Sequence, residues 1–381
     1  MSKKILLTGL VVLGIGCQSL PHARDEHLPR GTRGLPNPPQ RDEATPEKPI
    51  RPIVGFTSLG TVVIFDGLTG EITSTTEGAG GRPRDVAMDP WRAGVWVFEE
   101  NEDAQGGEIR FCPLEKGFGA SAGELPTRLR PCEHAVWIDG VASMLPTEDG
   151  LWVFEDGIGG ARWKILRKGQ ITPSVSVPRP ASIWMQDGEI EALTFGFQND
   201  RLQVYRADVG AFGPDVFQEY DWGEPLGNPP TARYAWLSND AGLLFDAVGN
   251  ALTVRRVDAG IPGLSQAIDV GIDVPRIEAA VGFGASALVL GRDSLWIVTV
   301  NDASVQLVSG LWLHGDVRES SLFFSRDLLV AENRAFVGTD RGVRAFGLEN
   351  DGETVVNAYP DEMFVGEGLR GPFDAVRSVE K

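Results

Sequence analysis

Gly150-Leu-Trp-Val-Phe-Glu-Asp-Gly157 is a short apolar stretch between glycines, and it is followed by Ala161-Arg-Trp-Lys-Ile-Leu-Arg167. Two such runs separated by a glycine-containing turn are typical of a β-hairpin. The same pattern occurs earlier, as Gly94-Val-Trp-Val-Phe-Glu-Glu100 with Glu108-Ile-Arg-Phe-Cys112. Variants of it recur along nearly the whole chain, so this stretch decides the predicted fold.

The remaining pairs of apolar runs complete a set of seven predicted hairpins. They are Gly55–Ser58 with Thr61–Asp66, Ala192–Phe197 with Leu202–Tyr205, Gly242–Phe245 with Leu252–Arg255, Ala287–Leu290 with Leu295–Val298, and Ala335–Gly338 with Val343–Phe346. The hairpins start about 47 residues apart on average. Short strands at this period, four to a unit, predict the blades of an all-β propeller. Seven blades are expected, with six or eight as alternatives because the 56-residue interval after Gly94 is irregular.

The two ends of the predicted repeat indicate how the ring closes. The stretch Gly371–Val379 resembles Gly81–Asp89, which follows the first hairpin and is predicted to be an inner strand. A ring must close, because terminal blades otherwise expose sheet edges. We therefore expect the C-terminal strand to complete the blade that the N-terminal hairpin begins.

The composition of the 381-residue chain is that of a folded protein, with 42% hydrophobic and 23% charged residues. Its 47 glycines and 25 prolines suit many short strands joined by tight turns. The formal net charge is −18. An acidic domain repels phosphate, which argues against nucleic acid or anionic membrane as a ligand of the folded part. Simple solubility is the alternative explanation of this charge.

The N-terminus carries the features of an export signal. Lys3 and Lys4 precede the apolar run Ile5–Gly16, which is too short to span a bilayer as a helix. The run Leu13-Gly14-Ile15-Gly16-Cys17 resembles the lipobox of bacterial lipoproteins, although Gly14 stands where that family prefers leucine. The resemblance implies that residues 1–16 are removed and that Cys17 carries fatty acyl chains such as palmitate. An ordinary cleaved signal with a chance cysteine is the alternative.

Residues 17–52 are expected to be a tether between the lipidated cysteine and a propeller that occupies residues 53–381. Eight prolines, mixed charges and few large apolar residues indicate a semi-extended segment. At about 3.1 Å per residue it could hold the folded domain roughly 100 Å from the bilayer. In the lipoprotein family, a residue other than aspartate after the cysteine implies the outer membrane. Here that residue is Gln18.

Cys112 and Cys132 are the two cysteines that remain after lipidation. In an exported protein they are expected to pair as a disulfide that pins a loop insertion. Two free buried thiols are the alternative.

Tryptophans follow the period of the repeat. Trp96, Trp152, Trp236 and Trp296 fall in predicted strands, so we expect them in the packing between blades. An aromatic platform that binds carbohydrate is the alternative.

The repeats resemble the broad class of bacterial seven-bladed propellers that includes the YVTN, NHL and WD40 groups, although the Gly-His and Trp-Asp signature of WD40 proteins does not occur. The segment Gly60–Glu71 resembles the strand-turn motif of quinoprotein-like propellers, a group that includes a lipoprotein subunit of the outer-membrane β-barrel assembly machine. That motif occurs once here, whereas the family repeats it in each blade. The resemblance implies a shape and no particular role.

Three patterns could carry chemistry, and none satisfies its full requirement. Gly119-Ala-Ser-Ala-Gly123 matches a serine nucleophile pattern, but it lies between the two cysteines without a helix to follow, and Gly284–Ala287 nearly repeats it. Asn101–Glu108 resembles the opening of a calcium loop, but Cys112 stands where the bidentate acid is required. The four histidines do not have the spacing of metal ligands; they are His22, His27, His134 and His314. We therefore predict no catalytic, cofactor-binding or metal-binding residue.

These observations predict a lipoprotein of the outer membrane whose propeller acts as a non-catalytic scaffold for envelope proteins. The expected partners are envelope proteins and, through the lipid anchor, the membrane. Two alternatives stay open: a lactonase-like or quinoprotein-like propeller enzyme, and a glycan-binding module.

Overall fold

The computed structural model describes residues 52–77, 82–89, 91–101, 106–115, 128–139, 143–157, 160–167, 170–171, 175–176, 180–186, 189–196, 201–208, 218–225, 233–237, 241–248, 251–258, 261–269, 276–300, 305–313, 325–366 and 368–378. Within these ranges all the regular secondary structure is β-strand. No helix in the described part of the chain has the length and apolar character needed to cross a membrane.

The strands fall into consecutive groups along the chain. The first groups are β1 (Pro52–Thr57), β2 (Thr61–Asp66), β3 (Ile72–Glu77); β4 (Arg82–Asp89), β5 (Gly94–Asn101), β6 (Gly106–Glu115), β7 (Arg128–Leu129), β8 (Glu133–Ile138); and β9 (Ser143–Thr147), β10 (Gly150–Gly157), β11 (Gly160–Arg167), β12 (Gln170–Ile171), β13 (Val175–Ser176). The middle groups are β14 (Pro180–Gln186), β15 (Glu189–Gly196), β16 (Arg201–Asp208), β17 (Gln218–Pro225); and β18 (Arg233–Trp236), β19 (Ala241–Val248), β20 (Ala251–Asp258), β21 (Ile261–Asp269). The last groups are β22 (Ile277–Phe283), β23 (Ser286–Gly291), β24 (Ser294–Val300), β25 (Val305–Trp312); β26 (Ser325–Ala331), β27 (Arg334–Thr339), β28 (Gly342–Asp351), β29 (Thr354–Pro360); and β30 (Phe373–Ser378).

Every hairpin that the sequence predicts is formed. In β10 and β11, for example, Leu151 faces Leu166 and Val153 faces Lys164 across an antiparallel pair. Leu151, Trp152, Val153 and Phe154 are all buried, although side chains alternate between the two faces of a strand. Both faces of this sheet are therefore covered, which explains why its strand is apolar throughout rather than alternating.

The described strands form seven antiparallel sheets. Most follow chain order from the inside outward, as in β14-β15-β16-β17. The innermost strands contact one another in a closed circle, in the order β4, β9, β14, β18, β22, β26, β30 and back to β4. This arrangement confirms the predicted all-β propeller. The blade number of the whole chain stays a prediction beyond the sheets described here.

The predicted closure by the two ends of the repeat is confirmed. Strand β30 is the innermost strand of the sheet β3-β2-β1-β30, and it pairs with β1, where Val54 faces Arg377 and Phe56 faces Ala375. The first and last described strands therefore share one sheet, which we call the closing sheet. Pairing with β30 covers the inner edge of β1, and the contacts of β30 with β26 and β4 close the ring.

The core lies between sheets rather than at the centre of the molecule. Val54, Phe56 and Ile64 of the closing sheet pack against Val95 and Val97 of the next sheet. Similar buried clusters lie between four further pairs of neighbouring sheets. Sheet-on-sheet burial of this kind holds the ring together around its circumference.

Candidate functional site at the inner strands

The cysteine prediction is confirmed. Cys112 in β6 is fully buried and forms a disulfide with Cys132, which lies directly before β8. Strand β7 lies between the two cysteines in the chain and pairs with β6 through Leu114 and Leu129. The disulfide therefore fixes the base of an insertion within one sheet. Residues 116–127 of that insertion lie outside the described residues.

Several predicted positions lie outside the described residues. They are Cys17, the pattern Gly119–Gly123, and His22, His27 and His314. His134 belongs to β8, but its side chain also lies outside the description. The calcium-like stretch is described only at its ends, in Asn101 of β5 and Gly106–Glu108 of β6. Within the described ranges, no three of the acidic, histidine and cysteine side chains form a group able to hold a metal ion.

In Gly284–Ala287, the near copy of the serine pattern, the first two residues form a tight turn after β22 and the last two begin β23. Gly284 has a φ of +60°, and the next amide, Ala285, donates a hydrogen bond of 2.8 Å to the carbonyl of Glu353. The hydroxyl of Ser286 is buried, lies 3.1 Å from the hydroxyl of Thr299, and accepts a hydrogen bond from the amide of Val355. This serine joins two neighbouring sheets, so the pattern has a structural role.

The tryptophans that follow the repeat lie in the core where their side chains are described. Trp152 is fully buried, and Trp96 and Trp296 belong to buried clusters between sheets. Trp236 is in β18, but its side chain lies outside the description. The prediction of packing is therefore confirmed for these three, and they offer no exposed platform to a sugar.

Asp89 at the end of β4 organises the turn to β5. Its carboxylate is fully buried and accepts hydrogen bonds from the amides of Trp91 and Arg92. The Arg92 guanidinium and the indole N–H of Trp96 donate to its other oxygen, at 2.7 and 2.8 Å. Because each lone-pair direction has a donor, this buried charge is stabilised and holds the turn.

The charged side chains of greatest interest lie on three inner strands that are neighbours in the ring. We call Asp327 (β26), Arg377 (β30) and Asp85 (β4) the closure cluster. The Arg377 guanidinium forms an ion pair and hydrogen bond with Asp327, and its Nε donates a 3.0 Å hydrogen bond to the carbonyl of Val86. A single arginine thus joins the strand before the closing sheet to the strand after it.

The two carboxylates of the closure cluster bind backbone amides of the next inner strand. Asp327 accepts a hydrogen bond of 2.9 Å from the amide of Val376 in β30. Asp85 accepts one of 2.6 Å from the amide of Met144 in β9, and its other oxygen accepts from its neighbour Val86 at 2.8 Å. Four consecutive inner strands are therefore connected by side-chain-to-backbone hydrogen bonds.

The closure cluster perturbs the ionisation of its members. Burial raises the pKa of Asp85 to about 6, although the nearby Arg377 charge and the two amide hydrogen bonds oppose this effect. Burial alone would lower the pKa of Arg377, but the charges of Asp327 and Asp85 outweigh burial and raise it. Arg377 is therefore permanently charged, whereas Asp85 changes its charge around pH 6.

A related contact occurs elsewhere in the ring. Arg233 in β18 donates a hydrogen bond of 3.0 Å from its Nε to the carbonyl of Glu278 in the next inner strand, β22. Burial lowers the pKa of this arginine, and the nearby charge of Arg276 adds to the effect. Charged side chains of the inner strands thus form hydrogen bonds to the backbone of the next sheet at more than one place in the ring.

Sequence reasoning missed the closure cluster, although a signal exists. Arg84-Asp85-Val86 and Arg326-Asp327-Leu328 share a basic residue, an aspartate and an aliphatic residue. In both strands the pairing register shifts directly before the aspartate, which indicates a β-bulge at the same position. A search for repeated charged pairs in the inner strands would have found these two aspartates.

Comparison with known proteins adds information on fold. No family model matches the sequence, and no curated protein matches it. Among solved structures, a protein from Bacteroides fragilis named as a candidate 6-phosphogluconolactonase is 11% identical with a TM-score of 0.61, over 87% of this chain and 99% of that one. A protein from Lactobacillus plantarum is 12% identical with a TM-score of 0.56, over 86% and 98% of the two chains. The chain has a propeller fold.

A third solved structure is similar to this chain to a comparable degree. A protein of unknown function from Desulfotomaculum acetoxidans is 15% identical with a TM-score of 0.54, over 86% of this chain and 98% of that one. At such identities a likeness shows the fold alone, because one fold serves many functions. The function of this propeller must therefore be argued from its own residues.

Proposed function

We propose that this propeller is a non-catalytic binding scaffold, held at the outer membrane by a lipidated Cys17 and facing proteins of the cell envelope. The observation that carries the proposal is the use of the charged groups on the inner strands. Asp85, Asp327 and Arg377 are engaged with backbone groups and with one another across sheets. Such contacts stabilise a closed ring whose connecting turns are left to make contacts with partners.

The two ends of the ring offer different surfaces to a partner. Leu59 lies in the turn between β1 and β2 and is 81% exposed. That turn is beside the start of β30, because the amide of Ser58 donates to the carbonyl of Pro372. Trp91 lies in the turn after β4, at the end of the ring where inner strands finish, and is 37% exposed. These two turns allow the binding surface to be mapped.

A cross-linking experiment tests the scaffold. A photoreactive residue is introduced at Leu59 or at Trp91, and the lipidated protein is irradiated in its own membrane beside a Cys17→Ala control. We expect reproducible links to particular envelope proteins from one of the two turns, and their loss in the control. Folded protein that is membrane-bound but yields no links from either turn would contradict the proposal.

The second candidate is a propeller enzyme, and one observation favours it. Asp85 has a pKa raised to about 6, and strongly shifted carboxyl groups occur often in active sites. Two of the similar structures carry names of candidate 6-phosphogluconolactonases at 11% and 12% identity. Hydrolysis of 6-phosphogluconolactone by the purified protein, abolished by Asp85→Asn while the fold is retained, would favour the enzyme over the scaffold.

A further inference from the structure

We propose that the closure cluster is a pH-sensitive latch, which holds the seam of the ring more tightly in mildly acidic surroundings than at neutral pH. The proposal rests on the position of the cluster. Its three members lie on β26, β30 and β4, so they span both junctions of the closing sheet. The seam is where the first and last described strands meet, and any opening of the ring there must separate these groups.

The charge balance of the latch is unequal at neutral pH. Among the described residues, the charged groups that act on Asp85 are Arg377 from β30 and Asp327 from β26, while β9 contributes only the amide of Met144. One guanidinium therefore faces two carboxylates. Arg377 bonds directly to Asp327 and also attracts Asp85, so two carboxylates share one positive charge in a partly buried site. An excess charge in such surroundings is costly.

Protonation of Asp85 removes this excess charge, at the loss of its attraction to Arg377. A carboxylic acid still accepts hydrogen bonds, so it can keep its bond to an amide. The pKa of Asp85 rises from 3.8 to about 6 on folding, because of burial. A raised pKa stabilises the folded seam fully below about 3.8, and this stabilisation is lost as the pH rises through about 6. The seam is therefore tighter at mildly acidic pH than at neutral pH.

Hydrogen exchange measures the opening of the seam. The probes are the amides of β30, which include Val376. The internal control is the amides of β19, whose sheet has β18 as its inner strand and is separated from the closing sheet by the sheets of β22 and β26. After correction for intrinsic exchange rates, the opening constant of β30 should be about tenfold larger at pH 8 than at pH 5, as follows from pKa values of about 3.8 and about 6. The amides of β19 should show no such ratio.

Two variants distinguish the effect of Asp85 ionisation on seam opening from general effects of pH. In Asp85→Asn the ratio between pH 8 and pH 5 should fall to about one. In Asp327→Asn, the like charge is lost and Arg377 is free to pair with Asp85, so the midpoint of the pH dependence should move below that of the unmodified protein. If Asp85→Asn does not fold, the pH dependence of Asp327→Asn and of the unmodified protein still tests the proposal. A ratio near one in the unmodified protein, or a ratio that persists in folded Asp85→Asn, would overturn the proposal.

Discussion

Replacing Trp152 by alanine should destabilise the propeller severely. Its side chain is fully buried in β10, the strand that best represents the repeat. A tryptophan buries at most about 250 Å², which at about 25 cal/mol per Å² corresponds to about 6 kcal/mol. The surface that alanine still buries and the compactness of the unfolded chain reduce this figure. We therefore expect a loss of about 3–5 kcal/mol in the free energy of unfolding.

The measurement is urea unfolding followed by far-UV circular dichroism. For a domain of this size the slope is about 3 kcal/mol per M or more, so the midpoint should fall by roughly 1 M. Trp137→Ala is the matched control, because Trp137 is 43% exposed and its loss should cost less than about 1 kcal/mol. Equal effects of the two substitutions would refute the reasoning that burial between sheets decides the role of each tryptophan. Retention on polysaccharide that depends on Trp152 would refute it in another way.

Four further substitutions test three separate features of the fold. Cys132→Ser removes the disulfide and should lower the unfolding free energy by about 3 kcal/mol, seen as a lower melting temperature that reducing agent no longer changes. Gly342→Ala should lower the unfolding free energy by more than about 2 kcal/mol, because its φ is +141° and the new methyl group would lie 2.3 Å from a backbone oxygen. Gly352→Ala is the control in the same assay. It should cost about 1 kcal/mol, because its φ is +63° but no atom lies within 4 Å of the new methyl group. Asp89→Ala removes the acceptor of the buried Trp96 indole N–H and of three partly buried donors, and should cost about 2–4 kcal/mol by thermal unfolding. A change under about 0.5 kcal/mol would contradict the role given to these four hydrogen bonds.

The hairpins could be predicted because their information is local. Gly150–Gly157 has an apolar centre bounded by glycines, and its partner strand follows within a few residues. The closure could also be predicted, because Gly371–Val379 resembles Gly81–Asp89, and both contain strands that are innermost in their sheets. In a fold built from repeats, strands of similar sequence occupy the same position in their sheets. Sequence similarity between two segments of one chain therefore predicts that both are inner strands.

The closure cluster could not be predicted in the same way. The hydrogen bond from Arg377 to the carbonyl of Val86 joins residues 291 positions apart. It depends on the curvature of the ring and on register shifts in the inner strands, neither of which the hydrophobic pattern encodes. Motif patterns were no better guides to function, since the described serine pattern near Ser286 joins two sheets and offers no nucleophile.

The closing sheet also sets the order in which the protein can be completed during synthesis. Its strands β1, β2 and β3 are made first, whereas β30, which must pair with β1, is made after every other described strand. Until then the inner edge of β1 lacks its partner, and nascent chains with open strand edges are vulnerable to association. A chain truncated before Phe373 would therefore lack β30 and leave the inner edge of β1 unpaired. Closure of the ring therefore depends on the six residues of β30.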